Sequence, residues 1–468
     1  MKNGILYKVM LVMICGLLFA GCAGGPAKQE AQTSTLKVMF WDESYFFSQY
    51  GDMFAMKNPN IEIEVAITQS IYNDEEKDYD KAFAKFVEKE QPDIILLNSN
   101  KNYEKFASEG KLMDLDTLIA KDKYDISTIY PALIDLLKEK GGGKLYGLAS
   151  SFNVNAIYYN ADLFAKYGVE PPHDGMTWQE IIDTARRFPT DGDKDSRIYG
   201  YGARYGKAFD ELASSIAMTQ GLQVLNPDTK KMTINSDSWK KVFQLALDGV
   251  KSKAIYDPGD DGFSSGTMEE YYKSQPFIMG RMAMTIDGTN LLQNLKDAKN
   301  SVRDYKPFQI GIVAGPVDPA LPDSTREVSF NEIFAIRSDS PNADAAWEFL
   351  KFINSEEFAK VKSRTLNNGL MSRMGVVKDY EGQSLDAFYK LKPADSSDGY
   401  MGISDAPNSF YGQFQQIKDR ELDPVQKGSK SLDEALEKIQ ADGQVALDKA
   451  YQEEEAQKKK DGKDDTSS

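Results

Sequence analysis

From residue 36 to about residue 451, short apolar runs alternate with amphipathic helical stretches, and no other feature narrows the possible folds as much. Residues 36–41 (LKVMFW) read as a short strand, 46–58 as a helix stopped by Asn58-Pro59, and 61–67 (IEIEVAI) as a strand alternating apolar with acidic side chains. A helix over 79–90 carries Phe83, Phe86 and Val87 at helical spacing and leads into a strand over 93–97 (DIILL). Residues 145–159 (LYGLASSFNVNAIYY) read as one extended crossing, and 178–188 as a helix capped by Thr177. Helices over 238–251, 343–354 and 431–451 and strands over 282–286, 308–313 and 333–336 continue the pattern. Repeated strand–helix–strand units imply an α/β fold with largely parallel sheets and with ligands beyond the carboxyl ends of the strands.

The ends of the chain have a different character. Lys2 and Lys8 precede an apolar run over 9–19 that closes in Phe19-Ala20-Gly21-Cys22, the pattern of a lipoprotein signal peptide over 1–21. Cys22 is then the lipidated mature N-terminus, and a diacylglyceryl group with its fatty chains tethers the protein to the outer side of the cell membrane, two chains anchoring where one is marginal. Residues 22–35 are small and polar, a flexible tether, and 453–468 (EEEAQKKKDGKDDTSS) lack an apolar face, which favours a disordered tail. Cys15 falls in the signal, so no disulfide is available to the fold.

Charge and histidine content remove several function classes. The 468 residues carry 72 Asp and Glu against 56 Lys and Arg, a net charge of −16 that argues against nucleic acid as a partner. His173, beside Pro171 and Pro172, is the single histidine, so histidine-based zinc sites and Ser-His or Cys-His triads cannot be assembled. No phosphate-binding G-x-x-x-x-G-K-[ST] run occurs. Paired carboxylates leave glycoside hydrolysis or a lyase reaction open.

Ordered landmarks carry a resemblance over residues 36–451. LKVMFW is followed by PDIILLNSN (92–100), the long GKLYGLASSFNVNAIYYNADLFAKYGVEPPHDGMTWQEI segment (143–181), GRMAMTIDGTN (280–290), FQIGIVAGP (308–316), SFNEIFAIRSDSPNADAAWEFLKFI (329–353) and SLDEALEKIQ (431–440). In this order they resemble the family 1 extracellular solute-binding proteins of ABC importers, the group that includes the maltose-binding protein. The resemblance implies a two-lobed, type II periplasmic-binding-protein-like fold, each lobe a mainly parallel sheet flanked by helices. Residues 36–149 with about 332–392 form the first lobe, and 150–331 with about 393–452 the second. Crossing hinge segments are expected near 149–153, near 328–332 and between 389 and 401. The implied protein is a monomeric, non-enzymatic receptor that holds a sugar or oligosaccharide in its cleft and delivers it to the permease subunits of an ABC transporter.

Sugars present hydroxyl edges and weakly apolar faces, so carboxylates and amides beside exposed rings mark candidate ligand contacts. Trp41, Asp42, Glu43 and Tyr45 follow the first strand, and Asn98, Ser99 and Asn100 follow the third. Asp42 and Ser99 are equally suited to helix capping. Ser151, Phe152 and Asn153 lie on the crossing, while Arg204 and Tyr205 belong to an aromatic run, YGYGARY. Asp287 and Asn290 flank Gly288 at a strand end where the family commonly has a tryptophan that is missing here, and Tyr411 in PNSFYGQF occupies a family stacking position. A polyamine or peptide would suit an acidic cleft instead. No cofactor is required, but Asp191, Asp193 and Asp195, with the carbonyl of Arg197, have the spacing of a structural calcium loop. Ser196 and Gly202 replace the glycine and the bidentate glutamate of that pattern.

Overall fold

The computed structural model describes residues 34–464 except 73–78, 194–195, 203–206, 260–265, 331, 367–368, 395–402 and 404–405. In chain order the strands that build the cleft are β1 (Ser34–Phe40), β2 (Ile61–Ile67), β3 (Ile94–Leu97), β4 (Gly147–Leu148), β5 (Ser151–Val154), β6 (Ala156–Asn160), β7 (Tyr199–Tyr201), β8 (Met282–Asp287), β9 (Ile310–Val313), β10 (Val328–Ser329), β11 (Ile333–Ile336) and β12 (Leu370–Met371). The first sheet has the order β2-β1-β3-β11-β4, the second β9-β6-β8-β7, and a small sheet, β10-β5-β12, takes in the two strands β5 and β10 on which the chain passes between them.

Each large sheet is mainly parallel, as expected, and contains one reversed strand. β1 runs parallel to β2 over Ser34↔Ile61 to Phe40↔Ile67, but β11 pairs antiparallel with β3 and β4. In the second sheet β6 is antiparallel to β8 and β9, while β7 and β8 are parallel. The reason is the direction of entry. β6 and β11 follow the crossing strands β5 and β10, so they start at the cleft and run away from it, whereas β1 and β3 run towards it. The passage from first to second sheet falls between Leu148 and Ala156, and the return between Val313 and Ile333.

Apolar alternation explains the layers. β3 (IILL) is buried on both faces, as expected of a central strand. On β6, Ile157 packs into the core under the helices Trp178–Ala185, Ala208–Thr219 and Asp237–Lys251, while Tyr158 points into the core continuous with the first sheet. In the first sheet Phe40 and Phe334 stack at 6.3 Å, and Tyr50 meets Phe334 edge-on at 5.3 Å. Asp93, at the entry to β3, is buried and holds three segments together. Its carboxylate accepts from the Lys37 amide at 2.8 Å, the Ser340 hydroxyl at 2.6 Å and the Asn342 side-chain amide at 3.2 Å.

Helix ends follow local chemistry. Thr177 caps Trp178–Ala185 as expected, in a reciprocal box in which Glu180 accepts from the Thr177 amide at 2.8 Å. Thr177→Ala should cost about 1 kcal/mol, read as a lower urea midpoint with unchanged solute affinity. The helix after β1 starts earlier than expected, at Glu43, because Asp42 accepts from the Tyr45 amide at 2.7 Å and caps it. A π-helical stretch, Phe47–Gly51, interrupts it before Asp52–Lys57. The last helix, Leu432–Asp464, extends through most of the segment expected to be a disordered tail. Charge spacing supplies a reason: Lys449 pairs with Glu453 at 3.6 Å across one turn.

Candidate functional site

Two walls face the crossing strands. The wall of the second sheet contains a cavity of about 620 Å³ lined by Asn153, Asn155, Trp178, Tyr201, Glu211, Ser215, Met218, residues 286–290, Glu327 and Leu366. Its geometry follows from the strand ends. The Tyr158 hydroxyl donates to the Gly288 carbonyl at 2.8 Å and holds the turn after β8, and Thr285 donates to the Gly202 carbonyl at 2.9 Å beside β7. The Trp178 indole donates to Thr219 at 2.9 Å and meets Tyr201 edge-on at 5.6 Å, which fixes an aromatic floor. Burial holds the Tyr201 hydroxyl far above its usual titration range, so it stays protonated as a potential donor.

Three carboxylates share this wall. Burial pushes the Glu327 carboxyl up to about 6, partly opposed by the Asn155 amide, which donates to it at 2.7 Å. Glu211 is also raised, first by burial and then by neighbouring Asp210. Asp287 accepts from the Gly288 amide at 2.8 Å, which orients its carboxylate at the end of β8. Carboxylates, amides and a protonated phenol above aromatic rings can bind a polyhydroxylated solute through its edges and faces.

The wall of the first sheet is aromatic. Trp41 and Tyr45 are 38% and 39% exposed, the outer members of a ring series in which Phe40 and Trp41 stack at 4.1 Å and Trp41 and Tyr45 at 5.9 Å. Glu332, just beyond β10, accepts from the Tyr50 hydroxyl and lies close enough to Tyr45 to raise the pKa of its hydroxyl, after the larger effect of burial. Glu327 and Glu332 therefore stand at opposite ends of β10, one in the cavity and the other beside the aromatic wall.

The expected contacts divide accordingly. Asn153, Asp287 and Asn290 line the cavity. Trp41, Glu43 and Tyr45 are exposed at the end of β1, but Asp42 also serves as a helix cap. Asn98 donates to the Tyr79 hydroxyl at 3.2 Å, Ser99 caps the following helix, and Asn100 opens it. Ser151 is half-buried on β5. Phe152 is a correction: it is a core residue, stacked on Tyr130 at 5.3 Å and edge-on to Tyr389 at 5.5 Å, because alternation on β5 turns it away from Asn153. Tyr411 is half exposed at the start of the helix Asn408–Gln426 and does not line the cavity. Arg204, Tyr205 and Cys22 lie outside the described residues.

Sequence reasoning missed several lining residues that spacing could have found. Asn155 follows Asn153 by two places along the extended crossing, and Glu211, Ser215 and Met218 are separated by four and three on one helix face. Glu327 directly precedes the second crossing. In the acidic loop, the Asp193 carboxylate accepts from the Ser196 amide at 2.8 Å and hydroxyl at 2.7 Å, while Asp191 is exposed and Asp195 lies outside the described residues. The Arg197 guanidinium donates to the Lys253 carbonyl. Among the described residues no group of three His, Cys, Asp or Glu side chains could hold a metal ion.

Two α/β lobes, strands passing between them and a polar, ring-lined cleft define a binding protein of the two-lobed, type II periplasmic-binding-protein-like class. The chain belongs to the bacterial extracellular solute-binding protein family, whose sequence profile matches residues 27–360. A binding protein of Brucella abortus is 24% identical over 241 residues, 51% of this chain and 52% of that protein. The arabinooligosaccharide-binding protein of Bacillus subtilis is 24% identical over 279 residues, 58% of this chain and 59% of the other. The chain thus aligns with little more than half the length of these relatives. A structure of an ABC substrate-binding protein from Listeria monocytogenes in complex with cycloalternan matches at TM-score 0.52 and 22% identity, over 88% of this chain and 98% of that one. Family membership gives an extracytoplasmic location, and no helix among the described residues is long and apolar enough to cross a membrane.

Proposed function

We propose that this chain is a lipid-anchored receptor that captures a sugar or oligosaccharide and presents it to the permease subunits of an ABC transporter. The observation that carries the reading is the pair of complementary walls. Carboxylates and amides around the Trp178–Tyr201 floor face the same crossing strands as exposed Trp41 and Tyr45. Contacts from both walls favour a closed form, with the crossing strands as hinge, and the ligand shifts the balance only by its preference for that form. The named ligands of the relatives, an arabinooligosaccharide and cycloalternan, support carbohydrate as the solute class. Cys22 supplies the anchor and keeps the receptor near its transporter.

Melting temperature against a panel of sugars, oligosaccharides, polyamines and peptides, with and without calcium, tests the reading on a soluble chain beginning at Gln29. A ligand at 100 times its Kd should add about 2.7 kcal/mol, a shift of several degrees. A shift with one sugar group, recovered intact, is the expected result. Shifts confined to cationic solutes would overturn the carbohydrate assignment, and consumption of the sugar would identify an enzyme.

A further inference from the structure

We infer that the cavity selects its sugar by charge, taking one that carries a protonated amino group and refusing one that carries a phosphate or a carboxylate. The inference rests on the carbohydrate reading above and adds the charge of the solute to it. Its origin is an imbalance. Glu211, Asp287 and Glu327 reach the cavity from three separate places, the helix Ala208–Thr219, the end of β8 and the approach to β10. Among the described residues that line it there is no Lys, Arg or His.

Two cations come near this wall, and both are committed elsewhere. Lys418, on the helix Asn408–Gln426, opposes the upward shift of the Glu211 carboxyl, but its ammonium pairs with the neighbouring Asp210 at 3.2 Å and its side chain is only 1% exposed, out of a solute's reach. Arg326, next to Glu327 in sequence, donates to the Thr219 carbonyl at 2.8 Å and stands 3.7 Å from Asp318. The Glu211 carboxylate makes no hydrogen bond or ion pair with a described residue. A shared metal ion does not supply the missing charge either, since among the described residues no three acidic side chains are grouped to hold one. Charges in a cavity are weakly screened, so an anionic solute meets uncompensated repulsion, whereas an ammonium forms charge-assisted hydrogen bonds. The rest of the lining explains why the amine belongs to a sugar. Asn153, Asn155, Ser215, Thr289 and Asn290 offer amides and hydroxyls around the Trp178–Tyr201 floor, partners for ring hydroxyls and a ring face that a simple polyamine does not have.

The test is isothermal titration of the purified protein with matched mono- and disaccharides in the gluco, galacto and manno configurations: the parent, its 2-amino form, the N-acetyl derivative and the 6-phosphate. Arabino-oligosaccharides and spermidine serve as neutral and non-sugar references. In at least one configuration the amino sugar should bind about 10- to 100-fold more tightly than the parent. The N-acetyl derivative, substituted at the same position but uncharged, should lose that advantage, and the phosphate should bind at least about 100-fold more weakly than the amino sugar. Glu211→Gln should cut the affinity ratio of amino sugar to parent roughly 10-fold. Asp228→Asn, which removes an exposed carboxylate outside the cavity, should leave that ratio as it is. Equal affinities for parent and amino sugar, a ratio that Glu211→Gln does not move, or binding confined to neutral sugars would overturn charge selection and leave the carbohydrate receptor standing. Spermidine bound with no sugar bound, or no binding at all, would overturn both. Melting curves without solute detect a folding defect in a variant, and the wild-type series tests the charge preference without it.

Discussion

Glu327→Gln should weaken solute binding roughly 10- to 100-fold, the range expected when a ligand hydroxyl loses a charged acceptor, while making the ligand-free protein more stable at pH 7. The opposite signs follow from where this carboxyl sits. It lines the cavity, is buried enough to titrate at about 6 rather than 4.5, and receives one identified side-chain hydrogen bond, from Asn155. Below about pH 4.5 both folded and unfolded chains hold the proton, so the group makes no difference. Between pH 4.5 and 6 the folded protein keeps a proton that the unfolded chain has released, and stability falls as pH rises. Above 6 the loss is complete, about 2 kcal/mol for such a shift. Glutamine can still accept from Asn155 but has no charge to bury, so the variant should melt a few degrees higher at pH 7 and lose this pH dependence. Calorimetry and melting curves read the two effects separately. Raised stability with unchanged affinity would make Glu327 a fold residue and remove it from the site.

Asp93→Ala should destabilise the first lobe by about 3–5 kcal/mol, the largest stability effect expected here. The substitution strands the Lys37 amide, the Ser340 hydroxyl and the Asn342 side-chain amide around a buried void. Each stranded donor costs about 1–3 kcal/mol when buried. Asp93→Asn should recover only part of the loss, because its amide nitrogen turns a donor towards groups that are already donors. Urea unfolding checks both. A change below about 1 kcal/mol for the alanine variant would mean that water replaces the carboxylate at low cost. Solute affinity in the surviving folded protein should be unchanged, since Asp93 stands at the start of β3 and the candidate contacts lie beyond its other end.

Local periodicity made much of the scaffold legible. IEIEVAI and DIILL read as strands because their apolar positions match a half-buried and a fully buried strand, and the structure has β2 and β3 there. The helix Tyr79–Glu90 falls at its expected bounds. Strand direction was not legible, because an apolar run has no polarity; only the crossing geometry shows that β6 and β11 enter from the cleft. The lining of the candidate cavity was legible where a strand end announced it, as at Asp287 and Asn290. It was hidden where a lining residue came from a helix face, as with Glu211, or from a buried carboxyl before a crossing, as with Glu327. Phe152 shows the converse: adjacency in sequence to a cleft residue puts a strand side chain on the wrong face.

The reversed strand β11 also sets the order in which the protein can be completed. β11 sits inside the first sheet, between β3 and β4, and pairs Ile333 with Leu97 across more than two hundred intervening residues. Until it arrives, β4 has no neighbour and the sheet ends at an open edge on β3, so the first lobe cannot close on its own sequence. Pairings of such long range form slowly, because the intervening loop must be closed before any contact rewards it. A chain leaving the ribosome therefore keeps this lobe open until β11, more than two hundred residues after β3, has been made, and the second sheet's strands are synthesised while the first still lacks its inner strand.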